Sequence, residues 1–227
     1  MQISRTPLLL LLALFGFPSA SLAQDAAAEA DEGVLAEHAD TGVVLGAKLG
    51  GGLGQVTSEF GASYVLELEL GYMLPLPKPV GRSFELFVTG QYMRPSTTGT
   101  TTADDARLPG DGTLHYDVTE QELALTFGVL YRLPLPIDLL MPYAAAGARL
   151  YMLRSTVTGS GGGQALGTTE ETSSEAGAYF ALGADFFLGP GALLAELQFA
   201  YGGVDRFVLR DTNVGTLNLA VGYRLML

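Results

Sequence analysis

Cysteine and tryptophan are absent from the 227 residues, and histidine occurs only as His38 and His115. Without cysteine there is no disulfide, no thiolate nucleophile and no Cys-anchored lipid. No His-Glu-x-x-His pair, glycine-rich phosphate loop or serine elbow is present. His115 lies near Asp117 and Glu120, but a solvated loop histidine is the simpler reading. No catalytic residue, cofactor or metal site is therefore assigned, and the chain is read as non-enzymatic. Bases are scarce as well, 12 Lys and Arg against 24 Asp and Glu, for a net charge of -12. No basic block exists to follow a phosphate backbone, which argues against a nucleic-acid partner. Charged residues make up 16% of the chain, below the rough quarter of a soluble domain.

Long apolar runs are missing after the first twenty residues. At the start, Arg5 precedes the apolar stretch Leu8 to Phe17, and Ser21-Leu22-Ala23 offers small residues for a peptidase. This pattern predicts a cleaved export signal over residues 1–23. A membrane-spanning helix needs about 20 apolar residues, and Pro18, Ser19 and Ser21 interrupt this run. Residues 24–41 are acidic and alanine-rich, lack alternation, and read as a periplasmic leader.

What remains, residues 42–227, alternates with period 2. In SYVLELELGYM, Tyr64, Leu66, Leu68, Leu70 and Tyr72 share one face, and Glu67, Glu69 and Gly71 share the other. In QELALTFGVLYR, Leu123, Leu125, Phe127, Val129 and Tyr131 oppose Glu122, Ala124, Thr126, Gly128 and Arg132. The same pattern predicts strands near 42–54, 61–73, 82–94, 119–132, 142–155, 173–188, 192–203 and 213–227. Their even number, and lengths mostly above those of soluble strands, suit tilted membrane crossings. Connections alternate too. The segments 75–81, 134–140 and 189–191 are short and proline-marked, as periplasmic turns are. Segments 55–60, 95–118, 156–172 and 204–212 read as extracellular loops, two of them long and rich in Gly, Ser, Thr and acids. Tyr64, Tyr92 and Tyr201 fall near one end of their strands, and Tyr72, Phe84, Tyr131, Phe186 and Tyr223 near the other, as interfacial girdles do. The predicted fold is an all-β, eight-stranded antiparallel up-and-down transmembrane β-barrel with both termini periplasmic.

The face opposite the apolar one carries Lys48, Glu67, Glu69, Glu85, Glu122, Arg132, Arg149, Asp185, Glu196 and Arg224. A barrel of this size has an interior that side chains can fill, and Phe87, Tyr143, Tyr151 and Tyr179 point inward with the charges. Buried charges need partners, so an internal salt-bridge network is expected. Two groups are anticipated. One joins Lys48, Glu67, Glu69 and Glu85 with Arg149, and the other joins Arg132, Arg224, Glu196 and Asp185. Asp104, Asp105, Asp111 and Asp117 and then Glu170, Glu171 and Glu175 read as solvated acids of the outer loops.

The signal segment, the alternating strands, the short inner turns and the last strand TLNLAVGYRLML together resemble the outer-membrane protein β-barrel superfamily. The chain resembles the small OmpA-type transmembrane barrel domain of that superfamily, here without a peptidoglycan-binding domain. The resemblance implies that Gly222, Tyr223, Leu225 and Leu227 form a C-terminal signal read by the barrel-insertion machinery, although Leu227 replaces the usual terminal aromatic. It also implies outer-membrane lipids and lipopolysaccharide as partners, with a monomer favoured. The expected role is a structural or surface-interaction barrel of the cell envelope. A narrow, porin-like low-conductance channel with weak cation preference is the alternative. A lipid-modifying outer-membrane enzyme is a distant one, because no histidine falls within a predicted strand.

Overall fold

The period-2 segments form strands, and these strands form one antiparallel sheet. A computed structural model describes residues 41–54, 63–77, 82–102, 112–134, 139–203 and 214–227. The strands are β1 (Val43–Gly54), β2 (Ser63–Met73), β3 (Phe84–Met93), β4 (Ser96–Thr102), β5 (Thr113–Arg132), β6 (Leu140–Gly161), β7 (Gln164–Leu188), β8 (Gly191–Gly202) and β9 (Thr216–Met226). Apart from β3 and β4, neighbours in the chain pair with one another, β9 pairs with β1, β3 pairs with both β2 and β5, and β4 pairs with β5. Hydrogen bonding therefore runs from β3 through β2, β1, β9, β8, β7, β6 and β5 and back to β3. The sheet is barrel-like, and no described element outside it covers its outer face. The signal segment and the leader, residues 1–40 with all but the last leader residue, lie outside the described residues.

The sheet is inverted relative to a soluble protein. Glu67, Glu69, Glu85 and Arg132 are buried, whereas the alternating Leu66, Leu68 and Leu70 are 54%, 70% and 56% exposed. Hydrocarbon around the sheet would take up the apolar face. The paired strands satisfy the backbone polar groups that hydrocarbon cannot. Among the described residues no helix is long and apolar enough to cross a membrane, which says nothing against crossing by strands.

Two expectations need correction. The described residues contain nine strands, not eight, because β4 follows the third predicted strand, 82–94, inside the segment 95–118 read as a loop. Proline has no N–H to give to a ladder, and Pro95 divides β3 from β4. Its carbonyl still accepts from the Glu120 N–H at 3.0 Å. The register is unchanged across the break, since Met93 faces Glu122 and Ser96 faces Thr119.

The second correction concerns polar segments read as loops. STTGTTT (96–102) is β4, and most of 156–172 is a hairpin continuing β6 and β7 to 22 and 25 residues. His115, expected in a loop, is an exposed residue of β5. Threonine is β-branched, and its polarity does not remove its preference for extended backbone. Gly162 and Gly163, at φ 55° and 78°, close the hairpin between Gly161 and Gln164. Both central residues of such a turn need the left-handed region.

The opposite end is tight. Gly189, at φ 65°, and Pro190 link Leu188 to Gly191 in a two-residue turn. The chain end is tied down beside it. The Leu227 carbonyl accepts from the Thr41 and Gly42 N–H groups at 2.8 and 2.9 Å, and the Leu227 N–H donates to Val43 O at 2.9 Å.

Candidate functional site: the charged interior

Inward residues of neighbouring strands meet in rows set by the register. Lys48 lies opposite Glu67 on β2 and Gly222 on β9. Its Nζ is 2.8 Å from Glu67 Oε1, 2.7 Å from Glu69 Oε2 and 3.0 Å from Glu196 Oε1. Arg224 continues the chain of charge. It contacts Glu69 with Nε and Nη2, Asp185 Oδ1 with Nη1 at 2.7 Å, and Glu196 Oε2 at 3.4 Å. Arg132 then joins Asp185 Oδ2 at 3.0 Å and Glu85 Oε2 at 2.7 Å. All these side chains are essentially without solvent contact. One carboxylate touches two bases repeatedly, which is how buried charges compensate for lost water.

Neutral groups extend the network. Tyr143 and Tyr179 each donate to Glu196, at 2.8 and 3.1 Å. Gln198 donates to Glu196 and Glu67, and Gln91 donates to Glu67. Asn218 donates to Gln198 at 3.2 Å. Arg149 donates to Gln91 Oε1 at 3.1 Å and to Thr126 Oγ1 at 2.9 Å. Its guanidinium lies 4.6 Å from the Tyr179 ring centroid, and that of Arg224 lies 4.5 Å from Tyr143, distances at which a cation is attracted to a ring face.

The ten inward charges predicted from sequence are all buried. Their grouping differs from expectation. Glu196 and Arg224 join Lys48, so the anticipated two groups merge. Arg149 meets amide and hydroxyl groups rather than the Lys48 carboxylates, and Glu85 belongs to Arg132. Glu122 is buried farther along the lumen, opposite Met93 and Leu153. Gln91, Gln198, Asn218, Thr126, Tyr143 and Tyr179 join the network beyond the charges that the sequence pattern predicts. Their signal was available, since they share the inward face with the charges.

Apolar layers flank this core. Val44, Met73, Met141, Phe187, Ala192 and Met226 form a buried cluster at the end near the termini. Val118, Ala124, Tyr151, Leu153 and Val214 form another toward the far end. Inward glycines make room for large neighbours, as small barrels require. A Cβ on Gly183 would lie 2.4 Å from the Tyr143 hydroxyl, and one on Gly128 would lie 2.6 Å from the Phe87 ring. Among the described residues no group of three His, Asp or Glu side chains is placed to hold a metal ion.

Residues 9–224 match the sequence profile of the outer membrane protein beta-barrel domain. The chain belongs to this family. It is an outer-membrane protein whose strands span the bilayer and whose outer face meets outer-membrane lipid. Assembly by the barrel-insertion machinery accords with membership. Solved structures with a similar trace include the Neisserial surface protein A, at 16% identity and a TM-score of 0.45, covering 82% of this chain and 96% of that one. The attachment invasion locus protein of Yersinia pestis, solved with the heparin analogue sucrose octasulfate, has 16% identity and a TM-score of 0.40, covering 81% and 97%. The N-terminal β-barrel domain of Pseudomonas aeruginosa OprF has 16% identity and a TM-score of 0.40, covering 82% and 98%. No curated protein sequence matches the chain.

The predicted C-terminal signal residues lie on β9 and at its end. Gly222 faces Lys48, where a Cβ would strike the Ala47 carbonyl. The Tyr223 hydroxyl donates to Leu188 O at 2.9 Å, Leu225 faces Leu45 and Gly191, and Leu227 ends the chain against Thr41 and Gly42.

Proposed function

We propose that the chain is a non-enzymatic, non-conducting outer-membrane barrel with a structural or surface-contact role. On this reading it crosses the membrane eight times, with β3 and β4 as one broken strand and both termini periplasmic. The observation that carries the reading is the filled lumen. A continuous run of ion pairs from Lys48 to Arg132 sits between an apolar cluster around Met73 and Phe187 and a second around Tyr151. Water and ions moving through would have to break these pairs and pass both apolar layers. Residues 1–23 serve as the export signal, 24–41 as the periplasmic leader, and Gly222, Tyr223, Leu225 and Leu227 as the insertion signal.

Beyond the apolar band, β4, the first half of β5, and the paired halves of β6 and β7 project as a Thr- and Ser-rich sheet. Facing outward from the cell, that sheet is the part available to a surface partner. The test is conductance in planar bilayers with the purified mature chain. The reading predicts flat current traces. Reproducible unitary steps would favour the channel instead, and their loss in a Lys48→Met variant would place the path through the network.

A further inference from the structure

Above the apolar band, β4, β5, β6 and β7 form a projecting sheet with two edges, and the edges differ. β8 begins its pairing with β7 at Gly177, so β7 beyond that point is one edge, and Glu170, Glu171 and Glu175 stand on it. β4 is the other edge, since it pairs with β5 and with no second strand among the described residues. Its seven residues, STTGTTT, carry no charge and no proline. Exposed edges are normally guarded by charges or proline against pairing with another chain. The β7 edge has such a guard, and the β4 edge has none.

The hydrogen-bond phase of β4 is fixed at its start. The Glu120 N–H donates to Pro95 O, so these two residues face each other as a bonded pair. Bonded and non-bonded pairs alternate along an antiparallel ladder. Thr97, Gly99 and Thr101 therefore bond to β5. The N–H and C=O groups of Ser96, Thr98, Thr100 and Thr102 point to the open edge, over about 20 Å. The side chains of these four residues are exposed as well.

This edge is complementary to itself. About a two-fold axis at Gly99, Thr98 faces the second copy's Thr100, and Ser96 faces the second copy's Thr102. Every open N–H and C=O group then meets another open group, and cross-strand threonine pairs add to such a ladder. The register also aligns charge. Asp117 lies beside Thr98, and His115 beside Thr100. Each Asp117 thus shares a row with the second copy's His115 and not with its Asp117. Copies in one membrane run β4 in the same sense, so an antiparallel pair joins copies in two facing membranes.

We propose that β4 pairs with β4 of a second copy, antiparallel about Gly99, and so holds together two surfaces that carry the barrel. A seven-residue edge is small against the roughly 1,200 Å² or more of a stable interface. One pair is weak and leaves the dispersed barrel a monomer, whereas many pairs between two surfaces act together. The proposal rests on the surface-contact role and the outward orientation given above.

The test is clustering of phosphatidylcholine vesicles that carry the full mature barrel, followed by light scattering. The vesicles are those whose hairpin tips face out, shown by a membrane-impermeant thiol label on Gln164→Cys. Wild-type vesicles should cluster, with mean diameter rising at least about threefold through the combined action of many weak pairs. Vesicles carrying T98K/T100K and vesicles carrying T98E/T100E should each stay dispersed, because like charges then face across the junction. Mixing the two populations should restore clustering. The same charge pairs at Thr168 and Thr172, on the β7 edge, should leave each population clustering. Heat-modified gel migration verifies folding. Wild-type vesicles that stay dispersed overturn the proposal whether or not any variant folds. Unaltered clustering of folded T98K/T100K, or dispersal by the β7 charges as well, overturns the β4 edge as the site. A mixture that stays dispersed overturns the register. The same label applied to intact cells separates the pairing from the reading it rests on. No labelling on cells refutes the outward orientation and the proposal with it, whereas labelling together with dispersed wild-type vesicles refutes the pairing alone.

Discussion

Arg132 and Arg224 hold opposite oxygens of the same Asp185 carboxylate, Arg132 Nε at 3.0 Å from Oδ2 and Arg224 Nη1 at 2.7 Å from Oδ1. Two buried cations brought this close repel each other unless an anion lies between them. Asp185→Asn keeps the shape and removes that anion. It should destabilise the barrel by about 3–5 kcal/mol, the range for breaking a buried ion pair from one side. Urea unfolding in lipid vesicles, followed by heat-modified gel migration, measures this. A change below about 1 kcal/mol would mean that the two guanidinium groups are compensated elsewhere.

Among the described residues, Lys48 is the only ammonium group in contact with Glu67, Glu69 and Glu196. Lys48→Met preserves most of its length and leaves three carboxylates crowded with less positive charge. The same unfolding assay should show a loss of about 3–5 kcal/mol. A second change, Glu67→Gln, should restore part of it by lowering the repulsion. A double variant as unstable as the sum of the two singles would contradict the shared network.

Gly183 faces the Tyr143 ring, and an added Cβ would also come within 2.8 Å of the Ala195 carbonyl. Gly183→Ala should therefore push Tyr143 off Glu196 and cost about 1–3 kcal/mol, as overpacking does. The added Cβ would meet Tyr143 Cζ as well as the hydroxyl at 2.4 Å, so the paired change of Tyr143→Leu with Gly183→Ala, which removes the ring, separates steric strain from the lost hydrogen bond. Removing the ring from the crowded variant should recover stability only if strain dominates.

Much of this arrangement was legible in the sequence, because lipid and lumen impose opposite chemistry on alternate residues. Leu66, Leu68 and Leu70 could face only hydrocarbon, which sent Glu67 and Glu69 inward. The pairing of charges was not legible. It depends on how far each strand is shifted against the next and on which side chains cross the lumen, and neither is encoded along one strand. Arg149 therefore reached Thr126 and Gln91 when Lys48 and its carboxylates had been expected. The strand count lacks β4, because the polar composition of 96–102, like that of the hairpin beyond Arg154, points to a loop despite the extended preference of threonine.

The central claim is that the apolar face meets lipid and the charged face fills the interior. The absence of native tryptophan makes this directly measurable. Phe127 is 55% exposed on β5, and Phe87 is buried on the adjoining β3, against Gly128. Single variants Phe127→Trp and Phe87→Trp, folded into bilayers containing acyl-brominated lipid, report contact with hydrocarbon through quenching of their fluorescence. Strong quenching of Trp introduced at Phe127, with little at Phe87, is the predicted result. Equal quenching at both positions, or stronger quenching at Phe87, would contradict the account.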